Sequence, residues 1–285
     1  MATITPGRKT NMNISPNCWL AALATTLFIA PVAQAEEEEP VATPYRPSVS
    51  MPAALPVPGW LDMEFGWQRT NGGGDKRRES FPVTAKLALN ADWGIVVGGE
   101  LRVRRTDQSD TIFTGGGDTT FLVKHRIATA DEGIAWGVVA GVKSPTAKHT
   151  IGSGKRDATI MGILSTDFAK NYHFDANLTL TQQGARDAGE GNLQTGWAAA
   201  VSRSLNDQWG IFAEPSSTSR SATKSTGQFL FGASYNVSKQ MVLDIAAAKR
   251  MNNATPDWQI MFGLTSLLGR LWSVARFNGL CQIEA

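Results

Sequence analysis

An all-β, antiparallel up-and-down transmembrane barrel of about twelve strands is the fold class that this 285-residue sequence predicts. Three observations predict it. From Leu61 onward, twelve short stretches alternate apolar with small or polar residues, the period of two that sends successive side chains to opposite faces of a strand. The connections alternate in length: Arg69–Ser80, Arg105–Asp118, Ser144–Arg156, Gly184–Thr195, Pro215–Thr226 and Met251–Asp257 are long, whereas Asn90–Trp93, Thr129–Gly133, Asp167–Lys170, Leu205–Gln208 and Ser238–Gln240 are short. Long loops at one end and tight turns at the other belong to a barrel that crosses a membrane; a soluble sandwich has no reason to sort its loops. Finally, the polar faces recur without a complementary all-apolar strand to fill a soluble core.

The chain ahead of the barrel divides in two. Trp19–Ala35 is the one long apolar run; it is broken by Pro31 and closes on Ala33-Gln34-Ala35, a small-x-small cleavage pattern. Residues 1–35 therefore read as a secretory signal peptide, the run being too short for a transmembrane anchor. Residues 36–59 hold prolines at 40, 44, 47, 52, 56 and 58. Such density forbids helix and ladder alike, so this stretch is expected to be a disordered Pro-rich spacer, the alternative being a plug tucked into the barrel.

Residues 60–265 are expected to form the barrel. In its first strand Leu61, Met63, Phe65 and Trp67 share one face, and Asp62, Glu64, Gly66 and Gln68 the other. Phe81, Val83, Ala85, Leu87 and Leu89 then oppose Thr84, Lys86 and Ala88; Ile95, Val97, Leu101 and Val103 oppose Gly98, Glu100 and Arg102; Phe121, Val123 and Ile127 oppose Lys124 and Arg126. Later strands repeat this, with His173, Asp175, Asn177, Thr179 and Thr181 on one polar face, and Asp244 on another. The faces of strands near 134–143, 157–166, 196–204 and 209–214 are weaker. In lipid every backbone N–H and C=O needs an internal partner, so strands cross only as closed barrels. Trp60, Trp67, Phe81, Trp93, Trp136, Trp209 and Trp258 fall near strand ends, where they suit interfacial girdles.

Charge and cysteine usage exclude several classes. Loss of residues 1–35 removes Arg8 and Lys9 and leaves 25 basic against 25 acidic residues; this neutral chain gives no sign of binding nucleic acid. Cys18 lies in the leader and Cys281 stands alone, so neither a disulfide nor a zinc-type spacing exists. Gly152-Ser153-Gly154-Lys155 lacks the flanking residues of a phosphate-binding loop. His173 beside Asp175 is the one arrangement that invites a hydrolase reading, which would need a nucleophile and an oriented base. The chain is expected not to be an enzyme, and no cofactor is required.

Two further motifs are specific. Gly115-Gly116-Gly117-Asp118-Thr119-Thr120 is followed by Lys124 and Arg126, and Lys143-Ser144-Pro145-Thr146 by Gly152, Ser153, Gly154, Lys155 and Asp157. With Ala254-Thr255-Pro256-Asp257-Trp258-Gln259, they resemble the corresponding stretches of an outer-membrane transporter family named for the meta-cleavage pathway of phenol degradation. The resemblance spans roughly Trp60 to Thr265. It implies a barrel in the Gram-negative outer membrane that passes small hydrophobic or aromatic compounds, with outer-membrane lipid and the barrel-assembly machinery as partners. The chain departs from that family after the last strand: residues 266–285 continue as a tail, native or produced by a frame change, where such barrels usually stop at an aromatic residue.

The candidate site is the lumen. Asp62, Glu64, Lys86, Glu100, Arg102, Lys124, Arg126, His173, Asp175, Glu214 and Asp244 are expected to face it, with Gly115, Gly117, Asp118, Thr119, Thr120, Gly152, Gly154 and Lys155 as a loop motif at its mouth. Unpaired buried charge is costly. These groups therefore either pair across strands and occlude the barrel or line a wet passage, and a narrow, partly occluded lumen is the expectation. The functional alternatives are a channel, a structural or adhesive barrel with a shut lumen, and a hydrolase.

Overall fold

The computed structural model describes residues 39–128 and 133–272; the expected leader and the tail beyond 272 lie outside the described residues. The elements are β1 (Trp60–Asn71), β2 (Arg77–Ala88), β3 (Trp93–Thr106), β4 (Ile112–Gly115), β5 (Thr119–Ala128), β6 (Ile134–Ser144), β7 (Asp157–Ala169), β8 (Tyr172–Gln182), β9 (Leu193–Ser204), β10 (Trp209–Arg220), β11 (Thr226–Ser238), β12 (Met241–Arg250) and β13 (Trp258–Arg270). Each ring strand pairs antiparallel with its neighbours, and β1 pairs with both β2 and β13, so twelve strands close into a barrel. The four-residue β4 lies outside the ring and pairs only with β3. Among the described residues no helix is long and apolar enough to cross a membrane, and the strands do the crossing.

Chain direction sorts the connections into a loop end and a turn end. At the turn end two connections repeat one design. In Leu89-Asn90-Ala91-Asp92-Trp93 the Asn90 side chain accepts from the backbone N–H groups of Asp92 and Trp93 at 2.9 and 2.8 Å. In Leu205-Asn206-Asp207-Gln208-Trp209 the Asn206 side chain does the same for Gln208 and Trp209. An Asx-type turn of this kind supplies the acceptor that a tight reversal otherwise lacks.

Three features depart from the sequence reading. The first is a bulge in β3, where Phe81 pairs with Arg102 but Pro82 with Glu100, so Leu101 is extra. The inserted residue inverts the alternation beyond it. Arg102, expected in the lumen, is exposed on the outer face, and Val103, expected outside, is fully buried within. The second concerns β13, which runs to Arg270 rather than stopping at 265. Ser266, Leu267 and Gly269 pair with Met63, Asp62 and Leu61, so five residues assigned to the tail belong to the barrel. The third is Pro215, read as a loop start but lying inside β10. Its ring has no N–H to donate, and the β9–β10 register skips Glu214 and Pro215.

Phe65, Phe121, Val138, Ile160, Leu178, Ile211, Phe231, Ile245 and Phe262 all stand exposed on the outer face, the belt that lipid requires. Trp93 and Trp209 mark its turn end, stacked on His125 at 4.3 Å and tilted against Tyr235 at 4.8 Å. Trp60 does not join that girdle: it shares the inward parity of Asp62 and packs beside Ala42, Val242 and Leu267. On the outer face, Leu178→Arg places a guanidinium where lipid lies and is expected to cost about 2–4 kcal/mol, against little for lumen-facing Thr179→Arg. Urea unfolding in phospholipid vesicles measures both, and equal costs would contradict the assigned faces.

The core lies inside the barrel. Leu230, Ala246, Ala248 and Met261, with Phe212, fill one sector. Ala53 with Val139 and Ile163, flanked by Met51, Leu122 and Met161, fills another. Ala42 and Val57 beside Trp60, and Met51 and Ala53 in this second sector, belong to the Pro-rich segment, whose residues 40–59 are therefore ordered within the lumen and are not the disordered spacer expected. The apolar inward residues Val139 and Ile163 come from strands whose alternation was weak, because they face this segment and not water.

Candidate functional site in the barrel lumen

Residues 40–59 enter beside the β11–β12 turn, where Ala42 N–H donates to Lys239 O at 2.8 Å. The Lys239 ammonium, 2.9 Å from Glu39, holds that carboxyl below the usual carboxylate range. From there the segment loops through the turn-end half of the lumen and returns to β1 at Gly59. Prolines deny it any ladder of its own, and the barrel wall supplies the missing acceptors. Thr43 N–H donates to Asp62 at 2.9 Å and Tyr45 N–H to Glu64 at 2.6 Å. Val49 and Ser50 N–H donate to Glu214, each at 2.9 Å. Met51 N–H donates to Asn177 at 2.6 Å and Ala53 N–H to Ser165 at 2.7 Å. A backbone that strands and helices do not satisfy must find side chains or water, and with Arg46 N–H donating to Glu64 at 3.4 Å it finds seven such side-chain bonds among the described residues.

Two lysines complete the anchorage. Lys86, fully buried, lies 2.7 Å from Glu64 and 3.3 Å from Asp62, and donates to Thr43 O. Lys124, equally buried, donates to Tyr45 Oη at 2.9 Å, Pro52 O at 2.5 Å and Ala54 O at 2.7 Å. Both ammonium groups sit over the Tyr45 ring, at 4.4 and 4.3 Å from its centroid, a desolvated cation–π arrangement. Tyr45 Oη donates in turn to Ala54 O at 2.9 Å, tying the ascending and descending limbs together.

Arg46 occupies a notch made by glycine. Gly66 and Gly263 are cross-strand partners, and a Cβ on either would come within 2.4 Å of the Arg46 guanidinium. In that notch Arg46 donates to Phe262 O at 3.0 Å and faces Asp244 at 3.5 Å. Arg126 shares the lumen face of Lys124, one pair of residues nearer the turn end.

His173 bridges Asp167 at 2.6 Å and Asp175 at 3.2 Å, and the Ser165 hydroxyl donates to Asp175. The imidazole thus bonds to two carboxylates. This cluster ties β7 to β8. The remaining candidates form a wall at the loop end. Glu100 is held by both terminal nitrogens of Arg78 at 2.7 and 2.6 Å. The two sequence motifs come together beside it. Asp118 accepts from Ala147 N–H at 3.0 Å, Thr119 Oγ1 meets Thr146 Oγ1 at 2.9 Å, and Gly117 N–H donates to Glu100 O at 2.8 Å. Lys143 reaches Asp157 at 2.7 Å and Asp118 at 3.6 Å. Cβ atoms on Gly117 and Gly152 would collide with Glu100 and Asp118, and Gly154 has φ +66° against His149, so these glycines permit close approach. Gly115 packs against Ile151. Thr120 lines the cavity below, and Lys155 is exposed to solvent.

Sequence reasoning missed Tyr45, Arg46, Ser48 and Ser165, and placed Asn177 on a polar face without giving it a role in the site. Tyr45 and Arg46 were the available signal, being the one aromatic and the one basic residue in 36–59.

Two cavities border the segment. One of about 420 Å³ opens toward the loop end, between Met161, Asn177, Thr179, Gln194, Ser216 and Gln228, with Val49 as its floor. None of its lining residues carries a charge. A second of about 370 Å³ lies on the turn-end side, among Ser48, Ser50, Asp175, Ser202, Arg203 and Phe212.

A closed twelve-strand antiparallel barrel, apolar without and polar within, with residues 40–59 inside its lumen, has the architecture of a transmembrane β-barrel. The sequence matches no family model and no curated relative. Solved structures do match in fold. An outer membrane channel from Pseudomonas putida F1 superposes with a TM-score of 0.59 at 10% identity, over 76% of this chain and 98% of that one. The NanC porin gives 0.53 at 12% identity, over 73% and 100%. The KdgM porin gives 0.50 at 7% identity, over 73% and 99%.

Proposed function

We propose that this chain is an outer-membrane channel for passive uptake of small hydrophobic or aromatic compounds, inserted by the barrel-assembly machinery after signal-peptide cleavage. The observation that carries the proposal is the uncharged cavity of about 420 Å³ at the loop end, within the size range of small-molecule sites. Its hydroxyl and amide groups serve a neutral solute bearing a few polar atoms, and Met161 and Val49 serve its apolar face. A fold shared with channels and porins supports the reading, as does the motif resemblance to a transporter family. Ion selectivity is not its purpose, because the buried charges are consumed in holding the segment.

The filled lumen favours one competitor, a structural barrel that is permanently shut. Solute flux separates the two. Liposomes with lipopolysaccharide in the outer leaflet slow the lipid route for apolar solutes. Reconstituted protein is expected to raise entry of uncharged hydroxylated aromatics well above the protein-free level, and to raise carboxylated analogues of equal size far less. Flux of both at the protein-free level would leave the shut barrel standing.

A further inference from the structure

Resting on the channel reading, we propose that Ser48–Ser50 is the gate, and that the path opens by withdrawal of this tip while the rest of the segment stays docked. The two cavities share one wall. Asn177, Ala198 and Ser216 line the upper; Asp175, Ala200 and Phe212 line the lower, on the same lumen faces of β8, β9 and β10. What separates them is the tip, with Val49 projecting into the upper cavity while Ser48 and Ser50 bound the lower. No strand stands between.

The tip is latched by one side chain. Glu214 accepts from Val49 N–H and Ser50 N–H at 2.9 Å each, from Ser50 Oγ at 2.7 Å, and from Ser48 Oγ. The flanks are held more broadly. Tyr45 and Arg46 engage Glu64, Lys86, Lys124, Asp244 and the glycine notch, Met51 exchanges two hydrogen bonds with the Asn177 amide, and Pro52 to Ala54 engage Lys124 and Ser165. Pro47, with its fixed φ, and the Asn177-held Met51 bracket the tip and confine rearrangement to Ser48–Ser50. Breaking one latch therefore frees the partition without undocking the anchor. The joined path runs past the hydroxyl and amide groups of Asn177, Ser216 and Ser202, with Asp175 and Arg203 beside its lower part.

The test is ionic conductance in planar bilayers, with Cys281→Ser as background. Glu214→Ala removes all four acceptor contacts and is expected to raise open probability about tenfold or more. Ser48→Ala combined with Ser50→Ala, which leaves the buried carboxylate in place, is expected to do the same to a lesser degree. A Ser202→Cys reporter is expected to be blocked by a thiol reagent added on the loop side only when the latch is broken. Wild-type conductance and an unreactive Ser202→Cys, in latch variants that still show the mobility shift of a folded barrel, would overturn the gate. If conductance and labelling rise while uncharged aromatics still enter at the protein-free rate, the gate stands and the substrate reading falls.

Discussion

Lys86→Met is expected to destabilise the barrel by about 3–5 kcal/mol, the usual cost of leaving a buried charge without its partner. Lys86 is the cation for two carboxylates at once, 2.7 Å from Glu64 and 3.3 Å from Asp62, and all three side chains are excluded from solvent. Methionine matches the length of the stem but leaves two anions side by side in a dry site. The segment fares no better, since Thr43 O loses its donor. A triple variant that adds Asp62→Asn and Glu64→Gln should recover most of the loss: an amide oxygen still accepts from Thr43 and Tyr45 N–H, and no charge is stranded. The thermal midpoint of the gel-mobility shift in detergent measures both. A Lys86→Met barrel as stable as wild type would mean that water reaches this cluster, and that the segment does not seal the turn end.

That cluster also shows what was legible in the sequence and what was not. The barrel was legible because lipid imposes a strict demand: one face of every strand must be apolar, and Phe65, Val83, Ile95, Leu178 and Ile245 meet it with the period of two. Loop sorting was legible because chain direction and closure leave no freedom. The β3 bulge was not. In Leu101-Arg102-Val103-Arg104-Arg105 either register alternates apolar with basic, so pattern alone cannot say that Leu101 is extra. Arg102 was assigned inward for that reason, and Val103 replaces it.

The occluding segment was misread for a different physical reason. Proline density shows that a stretch cannot build its own ladder, but it says nothing about whether another element supplies the acceptors. Here Asp62, Glu64, Glu214, Asn177 and Ser165 supply them. Several of the charges expected in the lumen meet the segment, and their purpose comes from it. A carboxylate that accepts backbone N–H groups looks the same in sequence as one that lines a wet pore. Acceptors far apart in sequence, such as Asp62 and Glu214 serving one segment, are brought together by closure of the ring and leave no local trace.

Tyr45 is where that segment is most firmly fixed, and its variants should separate ring from hydroxyl. Tyr45→Phe keeps the ring beneath both ammonium groups and loses only the bonds to Lys124 and Ala54 O, an expected cost of roughly 1–3 kcal/mol. Tyr45→Ala removes the ring as well. It leaves a void in the lumen and strips Lys86 and Lys124 of their shared aromatic face, for about 3–5 kcal/mol. Lys124 makes the second loss severe, because no carboxylate lies within salt-bridge distance of it among the described residues. Its charge is tolerated through Tyr45 and the two carbonyls at Pro52 and Ala54. Limited proteolysis of the reconstituted barrel reads the outcome. Wild type and Tyr45→Phe are expected to resist cleavage between residues 42 and 55, whereas Tyr45→Ala should be cut there with the barrel intact. Equal resistance in all three would place the anchorage in Arg46 and its glycine notch. Equal sensitivity of wild type would mean that the segment leaves the lumen as a whole, so that the tip at Ser48–Ser50 does not act alone.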